Sequence, residues 1–210
     1  MTVENRRTKG RRVKEFPPGL AWRAIVLVWT VTLVSCGTAT GPVAGMPLGA
    51  RLFTADAGSG WVSVIDMTAG KEAVHLKTQP LPHHLVVSPD GAELWVTSYG
   101  GSKVEVFSPK TGAKLASVDV GGFSDDLNFS AAGDRLYVTL GKADALAVIE
   151  PKKRKLLQRI SLGKAPHGVR VTPDGKEVYV TSTSDNDVEV VDVREGRVVA
   201  RIPTGLNPYE

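Results

Sequence analysis

His83-His84, Asp125-Asp126 and His167 fall in register, at 83, 125 and 167, with a constant step of 42 residues. Imidazole beside carboxylate is the equipment of proton transfer, of metal ligation, or of a seat for a polar ligand. Spacing alone assigns no catalytic residue among them. Cys36 is the only cysteine, which excludes a cysteine nucleophile in the body of the chain and a Cys-x-x-Cys-His haem attachment. No Gly-x-Ser-x-Gly elbow and no phosphate-binding loop occurs. No metal and no cofactor is expected, because a metal site needs three or four converging ligands. Two imidazoles from different repeats could share a centre only near a central channel. His75 reads as a surface histidine.

The elements that must hold these residues repeat with them. Leu52-Phe53-Thr54-Ala55, Leu94-Trp95-Val96-Thr97, Leu136-Tyr137-Val138-Thr139 and Val178-Tyr179-Val180-Thr181 begin at 52, 94, 136 and 178, without insertion or deletion. After a polar loop come Val62–Ile65, Val104–Phe107, Leu146–Ile149 and Val188–Val191, where apolar residues alternate and then double. That alternation predicts strands packed between sheets. Gly70, Gly112 and Gly196 mark the next turn in register; Arg154 breaks the series, so that turn must adapt. A more polar strand follows, suited to an outer edge. Last come Leu85–Val87, Leu127–Phe129 and Val169–Val171, each running into a turn: Ser88-Pro89-Asp90-Gly91, Ser130-Ala131-Ala132-Gly133 and Thr172-Pro173-Asp174-Gly175. Trp61 and Trp95 read as packing residues. A fixed period of this length, made of short strands and Gly-rich turns, is the signature of a propeller blade. The fold class is therefore all-β: a β-propeller of about four four-stranded blades.

Leu136-Tyr137-Val138-Thr139, Val178-Tyr179-Val180-Thr181, Val188-Glu189-Val190-Val191-Asp192 and Ala165-Pro166-His167-Gly168-Val169 resemble the YVTN β-propeller repeat family of bacterial and archaeal surface proteins. The resemblance covers residues 51–210, with units at 51–93, 94–135, 136–177 and 178–210. It implies extracytoplasmic propellers whose ligands are mostly unassigned. It also implies a blade order of inner, signature, middle and outer strand. On that order the first blade lacks its inner strand, and Glu210 stands where a fifth inner strand begins, so the chain is read as a partial ring, a truncated copy of a longer propeller. The loops before the inner strands and after the signature strands then share one face. That face gathers His83, His84, Asp125, Asp126, His167, Tyr99, Asp185 and Asn186, the candidate ligand-binding set, with Asp56 and Asp144 also on it. Pro-His is a common spelling in the family, so His83 and His167 have a loop-holding role as the alternative.

Charge and leader give the expected address. Seven basic residues stand against two acidic ones in residues 1–23, a net of +5, while the whole chain is +4. The body is thus close to neutral, and no nucleic-acid partner is expected. Residues 24–35 form a short apolar run, about 18 Å as a helix, too short for a comfortable membrane span. Residues 1–35 read as a signal peptide, and Leu33-Val34-Ser35-Cys36 resembles the bacterial lipobox, with Cys36 as the lipidated residue. Residues 36–50 read as a flexible tether.

These readings predict an extracytoplasmic, membrane-tethered binding or scaffold lipoprotein of the bacterial cell envelope, at the outer rather than the inner membrane. Its expected partners are the membrane through the lipid, a protein or polysaccharide ligand, and further copies that close the ring. The alternative is a periplasmic propeller enzyme or redox partner, lactonase- or dehydrogenase-like, that needs blades from elsewhere.

Overall fold

The computed structural model describes residues 48–210; Cys36, the leader and most of the tether lie outside them. A short 3-10 turn, Leu48–Ala50, leads into the strands. The first sheet contains β1 (Arg51–Asp56), β2 (Trp61–Asp66) and β3 (Lys71–Lys77). The second contains β4 (Pro82–Val87), β5 (Leu94–Ser98), β6 (Lys103–Phe107) and β7 (Lys114–Asp119). The third contains β8 (Leu127–Phe129), β9 (Leu136–Leu140), β10 (Ala145–Glu150) and β11 (Lys155–Ser161). The fourth contains β12 (Pro166–Val171), β13 (Glu177–Ser182), β14 (Asp187–Asp192) and β15 (Arg197–Pro203). Every neighbouring pair is antiparallel and follows chain order. The architecture is four propeller-type sheets, three strands in the first and four in each of the others.

The doubled apolar residues of the middle strands have a structural reason. Pairing with the outer strand shifts between Val64 and Ile65, Val106 and Phe107, Val148 and Ile149, and Val190 and Val191, always at the same repeat position. The residue skipped on the outer strand is Ala73, Leu115, Leu157 or Val199. A bulge at this point twists each outer edge and turns its extra residue to solvent. Leu115, Leu157 and Val199 are accordingly exposed despite being apolar.

Three apolar layers hold the sheets face to face. Val62, Val64 and Leu76 pack on Leu94, Val96 and Phe107 between the first two sheets. Trp95, Val104 and Val106 meet Leu136, Val138 and Ile149 between the second and third. Tyr137, Leu146 and Ile160 meet Val178, Val180 and Val191 between the third and fourth. Burial of residues this size contributes roughly 1.5–3 kcal/mol each relative to exposure, so these layers carry most of the cohesion. The broken turn adapts as its sequence requires. Arg154 takes the left-handed conformation, φ 52°, that Gly70, Gly112 and Gly196 take elsewhere, after a 3-10 turn at Pro151–Lys153.

Candidate functional site

The residues with the recurring step sit on a second bulge, at the start of each inner strand. Pro82 pairs with Ser98 and Leu85 with Val96, so His83 and His84 together oppose Thr97. Pro166 and Val169 pair with Ser182 and Val180, so His167 and Gly168 oppose Thr181. This places His83, His84 and His167 inside β4 and β12, not in the preceding loops where the sequence put them. Asp125 and Asp126 lie just before β8 and make the same contacts with Thr139.

The penultimate residue of β5, β9 and β13, a threonine each time, ties the bulge down. Thr97 Oγ1 accepts from His84 N at 3.0 Å, Thr139 Oγ1 from Asp126 N at 3.0 Å, and Thr181 Oγ1 from Gly168 N at 2.8 Å. Each hydroxyl also donates to a carbonyl of the following repeat: Thr97 to Asp125 O at 2.6 Å, Thr139 to His167 O at 2.5 Å, and Thr181 to Tyr209 O at 3.1 Å. One side chain therefore joins two successive inner-strand starts, and answers one N–H of its own bulge and one carbonyl of the next. Ala55, at the equivalent position of the first sheet, has no hydroxyl to do this.

With the bulges fixed, their side chains converge. His83 and His84 rings are 4.7 Å apart, His83 and His167 5.4 Å, His84 and His167 6.0 Å, and His167 and Tyr209 3.7 Å, centre to centre. Tyr99 packs against His83 at 4.1 Å. His167 Nδ1 lies 3.1 Å from Tyr209 O, which can only accept, so Nδ1 carries the proton. Nε2 of the neutral ring is then an acceptor, and Tyr99 Oη stands 3.2 Å from it. Burial, followed by the Asp125 carboxylate, pushes the Tyr99 phenol well above its ordinary value, so it stays protonated.

A second polar chain runs beside the first. His84 Nδ1 lies 2.7 Å from Asp126 Oδ1, and His84 Nε2 lies 3.3 Å from Glu210 Oε1. Asp126, almost wholly buried, also accepts from Leu127 N at 2.7 Å, Val169 N at 3.0 Å and Arg170 Nη1 at 2.6 Å. Burial acts to raise the Asp126 carboxyl, but His84, the Val169 N–H and Arg170 outweigh it and hold it below the usual carboxylate range. Asp126 in turn raises His84, against the opposing effect of burial. Burial lowers His83 and His167. Three histidines within one cluster are thus biased in opposite directions by their surroundings.

His84, Asp126 and Glu210 can bring ligand atoms within 4.8 Å of one another. A cation there would have to displace Arg170, whose guanidinium already engages both carboxylates, at 2.6 Å and 3.8 Å. Beside this chain lies a cleft of about 450 Å³, bordered by Tyr99, Asp125, Gly141, Pro166, His167 and Tyr209. Gly141 N donates to Asp125 Oδ2 at 2.6 Å, fixing the carboxylate at the cleft wall.

Of the candidates read from sequence, His83, His84, Tyr99, Asp125, Asp126 and His167 come together. The others do not. Asp185 accepts from Lys164 N, Asn186 from Asn207 N, and Asp144 from Ala165 N and Lys164 Nζ, so these three brace loops. Asp56 accepts from Thr54 and Ser63 at the end of the first sheet. His75 lies apart in β3, paired with Glu72, and its ring stacks at 4.5 Å on Trp61, which is therefore a stacking partner and not only a packing residue. Sequence reasoning missed Arg170, Tyr209 and Glu210. The last two were within reach: one more step of 42 from His167 and Gly168 lands on Tyr209 and Glu210. Position 168 is glycine because a Cβ there would stand 2.9 Å from Tyr209 O.

No family model matches this chain, and no curated protein does. Solved structures do. Hydrazine synthase of Kuenenia stuttgartiensis is similar over 75% of this chain and 47% of its own, at 24% identity and a TM-score of 0.68. The periplasmic gluconolactonase of Pseudomonas aeruginosa is similar over 78% of this chain and 53% of its own, at 25% identity and a TM-score of 0.67. The chain is a β-propeller-type protein by this likeness, and it spans about half the length of each of the two.

Proposed function

We propose that this chain is a YVTN-type propeller lipoprotein of the bacterial envelope that works as a binding or scaffold protein, with its ligand seat at the inner-strand bulges. The observation that carries the reading is the convergence of His83, His84, His167, Tyr99 and Tyr209, rings 3.7–6.0 Å apart, around two buried carboxylates. Ring faces beside fixed acceptors and donors match the end of a polysaccharide or a polar protein loop, which offers C–H faces and hydroxyls or amides together. The address rests on the leader and on Cys36. Replacing Cys36 by Ser tests it: the protein should leave the outer-membrane fraction and lose the mass of the acyl chains. Unchanged fractionation and mass would remove the lipoprotein reading.

A second reading, a periplasmic lactone hydrolase, is favoured by the likeness to a gluconolactonase and by the His84–Asp126 pair. With Nδ1 donating to Asp126, His84 Nε2 faces Glu210 Oε1. Once the ring has lost its Nε2 proton and left Glu210, Nε2 gains the lone pair that takes a proton from a water attacking a lactone carbonyl. Hydrolysis of glucono-1,5-lactone by the full-length protein, abolished in His84→Gln, would favour this reading over pure binding. Rates equal to the uncatalysed reaction would eliminate it.

A further inference from the structure

Charge in this fold is sorted by strand position. The outer strands and the turns leading into them, residues 67–77, 108–119, 151–161 and 193–203, hold twelve Lys/Arg against three Asp/Glu. The remaining described residues hold seven against seventeen. A body that is near neutral as a whole therefore carries a basic rim. On the last three sheets, Lys114, Lys153, Arg154, Arg197 and Arg201 have carboxylate partners in Glu105, Glu150, Glu93, Glu195 and Glu189. Lys110, Lys152, Lys155, Arg159 and Arg194, all exposed, form no ion pair with a described residue.

Apolar side chains lie among these cations. The edge bulge turns Leu115, Leu157 and Val199 outward, 41%, 42% and 43% exposed at one repeat position. Neighbouring sheets make the band continuous. Arg154 Nη1 donates to Leu115 O at 3.3 Å, which sets the basic turn of the third sheet against the bulge of the second. A Cβ on Gly196 would stand 3.3 Å from Gln158 Nε2, so the turn holding Arg194 meets the outer strand beside Leu157. Protection of an edge explains a lysine within an outer strand. It does not explain Lys110, Lys152, Lys153 and Arg194, which stand in turns with no strand edge to guard. Outer edges belong to the rim of a propeller however many sheets its ring holds.

We propose that this rim lies on an anionic phospholipid surface, with Leu115, Leu157 and Val199 below the phosphates and the turn cations upon them. Cations interleaved with short apolar projections match a bilayer surface, where phosphates lie over acyl chains. Nucleic acid or an acidic polysaccharide would use the cations but gain little from three exposed apolar residues. The same pose leaves the inner strands, at the far edge of each sheet, clear of the bilayer with their histidine cluster. The proposal goes beyond the ligand reading and stands whether or not that cluster binds a polysaccharide. It is equally independent of whether a lipid on Cys36 or the apolar leader brings the chain to the membrane.

The test places a photoreactive benzoyl-phenylalanine at Leu157, or at Ala143, which lies at the opposite end of β10 from the basic turn. Each full-length protein is reconstituted into vesicles of phosphatidylglycerol with phosphatidylethanolamine, or of phosphatidylcholine alone, and irradiated. Mass spectrometry should find lipid adducts at 157 in the anionic vesicles, roughly tenfold above those at 143 and above those in phosphatidylcholine. Lys152→Glu/Lys155→Glu/Arg194→Glu, three exposed changes, should remove the adducts without lowering the thermal unfolding midpoint. Salt at about 1 M, where screening reaches only about 3 Å, should remove them with no substitution. Adducts equally rare at both positions, equally frequent in both vesicle types, or more frequent at 143 would each overturn the proposal. So would binding of the rim to a soluble acidic polysaccharide with no lipid adduct at 157.

Discussion

His84 and Asp126 stand a full repeat apart, 42 residues, yet His84 Nδ1 and Asp126 Oδ1 lie 2.7 Å from each other. The contact exists because two successive inner-strand starts, each tied down by a threonine, are drawn to the same axis. It joins the fold and the candidate site, and both can be probed through it.

Asp126→Ala removes a buried carboxylate that answers two backbone N–H groups, an imidazole and a guanidinium. Loss of one member of a buried charged network leaves the others unpaired. The expected loss of unfolding free energy is about 2–4 kcal/mol, read from urea denaturation followed by tryptophan fluorescence. A change below about 0.5 kcal/mol, the range of ordinary surface substitutions, would mean the network is not formed.

Thr139→Val keeps shape and volume but deletes the hydroxyl that receives Asp126 N and donates to His167 O. Thr139 is fully buried, so water cannot replace it. A loss of about 1–3 kcal/mol is expected by the same measurement, and the equivalent Thr97→Val should behave alike.

Much of this fold is legible in the sequence, because strand pattern, glycine turns and the 42-residue register are all local signals. The doubled Val148-Ile149 and its copies even announce the edge bulge, although only the pairing shows why they are doubled. The convergence at the axis is less legible. Spacing puts His83 and His167 in equivalent places but says nothing of the distance between equivalent places, which depends on how tightly the inner strands close. Arg170 is harder still: its copies are Val86 and Asn128, so no periodic signal marks a guanidinium that reaches Asp126. Asp185 and Asn186 show the opposite limit. The sequence groups them with the candidates, but Asp185 Oδ2 and Asn186 Oδ1 accept from the backbone N–H groups of Lys164 and Asn207.

The histidines set opposing pH dependences. His84 has a raised folded value, so its stabilisation is complete below the ordinary 6.5 and fades as pH rises through that raised value. His83 and His167 have lowered values, so they cost nothing well above 6.5 and destabilise increasingly as pH falls below it. Asp126, held low, loses its contribution only on falling through its own depressed value, below the range compared. Between pH 8 and pH 5, His83→Gln/His167→Gln should therefore flatten the acid-side loss of stability, and His84→Gln should steepen it. Parallel profiles for both variants would contradict the assigned environments.

Ala165 carries a left-handed φ of 52° with a Cβ that disfavours it. Its N–H contact with Asp144 Oδ1 is a backbone contact and survives substitution. Ala165→Gly should raise the unfolding free energy by about 0.5–1 kcal/mol, seen as a higher midpoint in calorimetry.

The ligand seat itself is tested most directly by ring ¹⁵N resonances of the four histidines during titration with a saccharide panel. The signals of His83, His84 and His167 should shift together and saturably with at least one oligosaccharide, while that of His75, stacked on Trp61 away from the cluster, stays in place. Shifts confined to His75, or none across the panel, would contradict a saccharide-binding site at the inner-strand bulges.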